Sequence, residues 1–110
     1  MCGIFGFVGP DDLASSAAKA LVKHAQQRGR DSSGLVVHRD GAYQAYRADY
    51  PIGWLLKRAP KLGSFFFGHS RLVTNGTAHN QPVIRDGVTV IHNGIVVNEK
   101  AVWDAIGKKP

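Results

Sequence analysis

The sequence predicts an α+β fold built mainly on antiparallel β-sheet. Two hairpin signals carry that expectation, Asp40-Gly41 and Asp86-Gly87, each flanked by runs of strand-forming residues. The third observation is the scarcity of strand–helix–strand units, which argues against a doubly wound parallel sheet. The chain has 110 residues, of which 44% are hydrophobic and 20% charged. That is the composition of one ordinary globular domain, read here as spanning residues 1–110.

Gly3–Val8 alternates small and large apolar residues and reads as a buried strand. Gly9-Pro10-Asp11-Asp12 is a turn into a helix over residues 12–28, with Asp11 or Asp12 as N-cap. Leu13, Ala17, Ala18, Leu21, Val22 and Ala25 recur at helical spacing and form its apolar face. His24 and Arg28 suit the dipole of the last turn, and Gly29 is the expected residue just past the helix end. Residues 28–34 form a polar loop, residues 35–39 a strand, and residues 42–47 its hairpin partner. Ile52–Arg58 reads as a short helix in an otherwise ambiguous stretch. Residues 64–68 form a buried strand whose Phe65-Phe66-Phe67 run belongs to the core. Residues 82–85 and 88–92 form the second hairpin, Asn93-Gly94 a tight turn, and residues 98–107 a closing amphipathic helix carrying Val102, Ala105 and Ile106. Trp54 and Trp103 are expected to be packing residues.

Several classes are excluded or disfavoured. No apolar run approaches the ~20 residues of a membrane helix. The N-terminus lacks the basic lead and cleavage site of a signal peptide, so the chain is expected to be soluble and cytoplasmic. A single cysteine, Cys2, rules out an intrachain disulfide and a four-cysteine zinc site. His24, His38, His69, His79 and His92 show no metal-ligand spacing, and neither a dinucleotide fingerprint nor a Walker loop is present. No metal and no cofactor is expected. The net charge of +6 raises a nucleic-acid partner as an alternative. Its basic residues are spread along the chain without a recognition motif, and a solvated basic surface is the preferred reading.

Cys2 is the most informative residue. Removal of Met1 would leave a thiol and a free α-amine on one residue. An α-amine titrates near neutrality, so its uncharged form can accept the thiol proton without a separate histidine base. The thiolate could then attack a carboxamide carbon, forming a thioester and releasing ammonia. Such acyl transfer needs donors aimed at the oxyanion. Asn93 offers a side-chain amide and Gly94 an unobstructed backbone N–H. A free amino-acid substrate also needs its carboxylate held, and Arg71 follows a buried strand where a bidentate contact is possible. Thr74, Asn75 and Gly76 continue from it as a polar loop. Taken singly, Cys2 is an ordinary small residue, Asn93-Gly94 an ordinary turn and Arg71 an ordinary surface charge. The chemical reading rests on their occurring together.

Four segments together resemble one family. Met1-Cys2-Gly3-Ile4-Phe5-Gly6 resembles the start of the class II, N-terminal-nucleophile glutamine amidotransferases. Arg28-Gly29-Arg30-Asp31-Ser32-Ser33-Gly34 is similar to their RG-x-D-s-x-G loop. Gly68-His69-Ser70-Arg71-Leu72-Val73-Thr74-Asn75-Gly76 is similar to their G-H-x-R-x-x-T-x-G segment, and His92-Asn93-Gly94-Ile95 to their H-N-G-x turn. The resemblance implies stacked, mainly antiparallel sheets with outer helices (an αββα, N-terminal-nucleophile-hydrolase-like fold). It implies hydrolysis of glutamine, with ammonia passed to a synthetase or transferase domain. Cys2 would be nucleophile and, through its amine, base. Asn93 and Gly94 would form the oxyanion hole. Arg71 would hold the substrate carboxylate, Thr74 and Asn75 would line the pocket, and the loop that begins at Arg28 would border it.

Leu72 and Asn75 depart from the aromatic residue and the histidine that one branch of the family often carries. The later aspartate that holds the substrate amine in the family has no counterpart after Asn98, and Asp104 falls in a predicted helix. The chain therefore reads as the first part of an amidotransferase domain, incomplete at its C-terminal side. An incomplete sheet stack would expose strand edges and an apolar face, which implies a homo-oligomer or a partner. The alternatives are an inactive remnant of the fold serving binding or assembly, and the basic nucleic-acid-binding module.

Overall fold

In the computed structural model, residues 2–59, 61–72 and 80–109 are described. The elements are β1 (Gly3–Val8), α1 (Asp11–Gln26), β2 (Ser32–Arg39), β3 (Ala42–Ala48), α2 (Ile52–Arg58), β4 (Phe65–Arg71), β5 (Val83–Arg85), β6 (Val88–Val90) and α3 (Glu99–Ile106). Four strands form one sheet in the order β1-β4-β2-β3, and β5 and β6 pair with each other. Every pairing is antiparallel. The result is the mixed α/β, antiparallel architecture that the hairpin signals predict. Both hairpins turn at an Asp-Gly pair with positive φ at each residue: Asp40 (52°) and Gly41 (78°), Asp86 (51°) and Gly87 (77°). That twist matches the twist of the flanking strands.

Strand alternation divides the sheet into two unlike faces. Phe5, Leu35, Val37, Ala48 and Phe66 point to one face and form a single core with Ala14, Ala18, Val22 and Ala25 of α1 and Ile52 and Leu55 of α2. Phe7 stacks on Phe66 at 5.2 Å, and Phe5 meets the same ring edge-on at 6.4 Å. Burying each such side chain contributes roughly 1.5–3 kcal/mol. The opposite face carries Ile4 and Val8, which are exposed, with Val36, His38, Tyr43, Phe65 and Phe67.

Helix α1 starts at Asp11, one residue before the expected span, and ends at Gln26, two residues short of it; Pro10 rather than Asp11 or Asp12 is the N-cap, and no side chain caps it. Its contact stripe is narrower than the periodicity suggests. Leu13 is 51% exposed and Ala14 takes the core position instead, because the stripe is set by small residues that let the helix approach the sheet. That approach is close: a Cβ on Gly3 would meet the Ala25 carbonyl oxygen at 2.6 Å. Gly29 does not cap the helix, which passes to Gln27 in right-handed geometry. Its role is contact: a Cβ there would lie 2.3 Å from the backbone nitrogen of Leu72.

Strand β2 begins at Ser32 rather than at residue 35, so part of the expected loop is strand. Ser32 and Ser33 are buried there by pairing with Arg71 and Ser70. Strand β4 likewise runs on to Arg71. Only Phe66 of the triple-Phe run reaches the core; Phe65 and Phe67 turn to the other face by alternation and meet edge-on at 5.9 Å. Trp54 is 60% exposed and lies beside Tyr50 rather than in the core. Helix α3 forms where predicted but buries none of its residues, so it does not close the core. Among the described residues no helix is long and apolar enough to cross a membrane.

Candidate functional site

A single row of residues crosses the sheet on the face away from the helices. Ile4 of β1 pairs with His69 of β4, His69 with Gly34 of β2, and Gly34 with Arg47 of β3. This row carries the chain segment entering β5. The Arg47 side chain donates from Nε to the Pro82 carbonyl at 2.7 Å. The Asn80 amide donates to the Asp49 carboxylate at 2.7 Å. Over Gly34 the backbone of Gln81 lies so close that a Cβ would sit 1.7 Å from its carbonyl oxygen. The last glycine of the 28–34 segment is thus required by a backbone crossing.

The same platform fixes the His92-Asn93-Gly94 corner. Gln81 takes the His92 backbone N–H on Oε1 at 2.5 Å and returns a hydrogen bond from Nε2 to the His92 carbonyl at 3.1 Å. His69 donates from Nε2 to that carbonyl, also at 3.1 Å. The ring is therefore the Nε2–H tautomer. Burial, first, and then the charges of Arg71 and His92 hold the His69 pKa below its ordinary 6.5, against the opposing pull of the His92 carbonyl. A neutral donor at this point holds the carbonyl without adding charge under the corner.

Asn93 then reaches Cys2. The Cys2 backbone nitrogen donates to Asn93 Oδ1 at 3.2 Å, joining positions 91 residues apart. With Oδ1 turned to that nitrogen, the Nδ2 donors of the same amide face elsewhere and can serve a developing oxyanion. Gly94 has φ 155°, a conformation glycine favours, and lies in a bend rather than the expected tight turn. Cys2 is half-buried, and Cys2, Arg28 and Asn93 line one hollow of about 360 Å³ with His24 and Leu21 of α1.

Arg71 is the last residue of β4, and the register Gly3↔Ser70, continued by one residue, sets Cys2 against it. The Arg71 carbonyl accepts the Asp31 N–H at 2.8 Å, and the Ser70 hydroxyl donates to the Gly29 carbonyl, so the 28–34 segment is laced to this strand end. Cys2, Asn93, Gly94, Arg28 and Arg71 are thereby gathered at one corner of the sheet. Thr74 and Asn75 lie outside the described residues. A larger hollow of about 440 Å³ lies between α1 and α2, rimmed by Lys19, Lys23, Lys57 and Lys61. It is lined by neither Cys2 nor the Asn93-Gly94 corner, so the chemistry points to the smaller one. Among the described residues no group of His, Cys, Asp and Glu is arranged to hold a metal ion.

Sequence reasoning missed Gln81 and the crossing it makes over Gly34, a residue read only as the end of the 28–34 loop. Their signal was weak: Gln81 precedes a proline, where the chain is expected to be extended, and nothing local marks its side chain as facing His92.

No family model matches the chain. The chain is similar to the glutamine--fructose-6-phosphate aminotransferase [isomerizing] of Rhizobium leguminosarum bv. viciae, 36% identical over 114 residues, covering 98% of this chain and 19% of that protein. It is 38% identical over 112 residues to the protein of the same name from Rhizobium meliloti, covering 96% and 18%. It is 36% identical over 104 residues to that of Bartonella quintana (strain Toulouse), covering 89% and 17%. The chain thus spans less than a fifth of the length of the curated relatives it matches. Similarity over nearly the whole chain agrees with the four motifs and with the corner where residues of all four meet: the chain belongs to the class II, N-terminal-nucleophile glutamine amidotransferase family and corresponds to an N-terminal portion of that domain.

Proposed function

We propose that this chain hydrolyses the side-chain amide of glutamine, with Cys2, freed by removal of Met1, as nucleophile. The observation that carries the reading is the hydrogen bond from the Cys2 nitrogen to Asn93 Oδ1. After Met1 is removed that nitrogen is the α-amine, and Asn93 orients it beside its own thiol. The uncharged amine takes the thiol proton as sulfur attacks the carboxamide carbon. Negative charge on the former carbonyl oxygen is met by Asn93 Nδ2 and the Gly94 N–H. Collapse expels ammonia, which leaves with the proton held by the amine, and a thioester remains. Water, deprotonated by the amine, attacks the thioester. Glutamate departs and the thiol is restored.

Arg71 pairs with the substrate carboxylate, Thr74 and Asn75 line the pocket, and Arg28 borders it. The relatives are named for moving an amino group from glutamine to fructose 6-phosphate. On that model the ammonia passes to a synthetase or transferase domain. The chain is read as one cytoplasmic domain.

Glutamine hydrolysis by the intact protein, measured with Cys2→Ala beside it, tests the reading. Expected outcomes are a chain lacking Met1 by intact mass and at least a 10³-fold loss in the variant. Retention of Met1 in an active protein, or full activity of Cys2→Ala, overturns it. A second reading, an N-terminal-nucleophile fold that binds without turnover, is favoured by one observation: among the described residues no carboxylate lines the hollow at Cys2 to hold a substrate ammonium. Labelling of Cys2 by an electrophilic glutamine analogue, without glutamine turnover, selects that alternative.

A further inference from the structure

We infer that Gln81 is a positioning residue for the oxyanion corner, a role that rests on the glutaminase reading above. Its primary amide reproduces a strand partner. Oε1 accepts the His92 N–H at 2.5 Å while Nε2 donates to the His92 carbonyl at 3.1 Å, so both polar groups of one peptide residue are held by one planar side chain. A planar group bonded twice to a backbone fixes direction as well as distance. His92 immediately precedes Asn93, whose Oδ1 meets the Cys2 nitrogen, so the clamp sets the origin from which the Asn93 side chain extends.

The clamp is itself anchored. Arg47 holds the Pro82 carbonyl at 2.7 Å, Asn80 holds Asp49 at 2.7 Å, and the Gln81 backbone rests on Gly34. These groups lie on β3 and β2 or next to β3, so the corner is referred to the rigid sheet through Gln81. His69 of β4 reaches the same carbonyl but offers nothing to the His92 N–H. Gln81 is the side chain that takes both. A donor misplaced by about 1 Å costs on the order of 10²-fold in rate, because the charge it serves exists only in the transition state.

The test compares Gln81→Leu and Gln81→Glu with the parent in the intact protein. Gln81→Leu removes both bonds at similar volume. It is expected to lower kcat for glutamine hydrolysis about 10- to 100-fold with KM within about 3-fold, since oxyanion donors act in the transition state. Hydrogen exchange of the His92 amide should accelerate at least about tenfold. Gln81→Glu supplies the decisive readout. As a carboxylate it opposes the His92 carbonyl; as a neutral acid it again offers one donor and one acceptor. Its kcat relative to the parent is therefore expected to climb as pH is lowered from 8 to 6, which a space-filling role would not produce. Parental kcat in both variants, a pH-independent ratio for Gln81→Glu, or unchanged His92 exchange overturns the inference. If the parent neither turns over glutamine nor reacts at Cys2, the glutaminase reading fails instead, and the exchange of the His92 amide alone decides whether Gln81 positions the corner.

Discussion

Gly34 shows how one missing side chain shapes the corner. A Cβ on it would fall 1.7 Å from the Gln81 carbonyl oxygen and 2.7 Å from Pro82 Cδ, both parts of a segment tied down on its two sides. Gly34→Ala is expected to destabilise the fold by about 3 kcal/mol, read from urea unfolding, because the crossing segment must lift off the sheet. His69 adds a pH dependence. Its folded pKa lies below 6.5, so the unfolded chain binds the proton more readily. The stability contributed by neutral His69 is complete above pH 6.5 and is lost as pH falls from there through the lowered folded value. Thermal unfolding at pH 7.5 and 5.0 should show an acid loss that shrinks in His69→Gln, a variant that keeps a donor toward His92 without a titrating ring. An equal loss in that variant would assign the effect to other groups.

At the level of elements, the two long-range helices and the third helix behave oppositely. Ile52 of α2 is fully buried against the sheet, and Ile52→Ala is expected to cost about 2–5 kcal/mol through lost contact and the cavity left behind. Helix α3 buries nothing, and the Lys100–Asp104 pair on it, 2.7 Å apart, sits in solvent. Lys100→Ala should change stability by no more than about 0.5 kcal/mol. Denaturant titration of the two variants measures the contrast directly. Asp104 is engaged with Lys100 and is not among the residues that line the hollow at Cys2.

Across the whole molecule, the sheet is covered by helices on one side, while its other side presents Ile4, Val8, Tyr43, Phe65 and Phe67. Val8 is 78% exposed, and the aromatic rings there form a surface row, Tyr43 against His38 at 4.6 Å and Phe65 at 6.1 Å, and Phe65 on Phe67 at 5.9 Å. An apolar face of this kind in water favours association. We therefore expect these 110 residues to self-associate and to bind a hydrophobic dye. Val8→Lys should weaken both, because it places a charge where apolar surface would meet apolar surface. A dilute and a concentrated sample eluting alike as a dye-silent monomer would refute this.

Much of this architecture was legible in residue order, for local reasons. Asp-Gly pairs specify hairpins through the positive φ they tolerate, alternation specifies strands, and the 3.6-residue period specifies α1. Four short motifs in register were enough to name the family. What local pattern could not decide was contact: Gly29 looked like a helix cap and is a close approach to Leu72, the triple-Phe run looked like core and divides between two faces, and Gln81, which belongs to none of the four motifs, grips His92. Those outcomes depend on which backbones cross in space, and the crossing of Gln81 over Gly34, 47 positions earlier, has no trace in the neighbours of either residue.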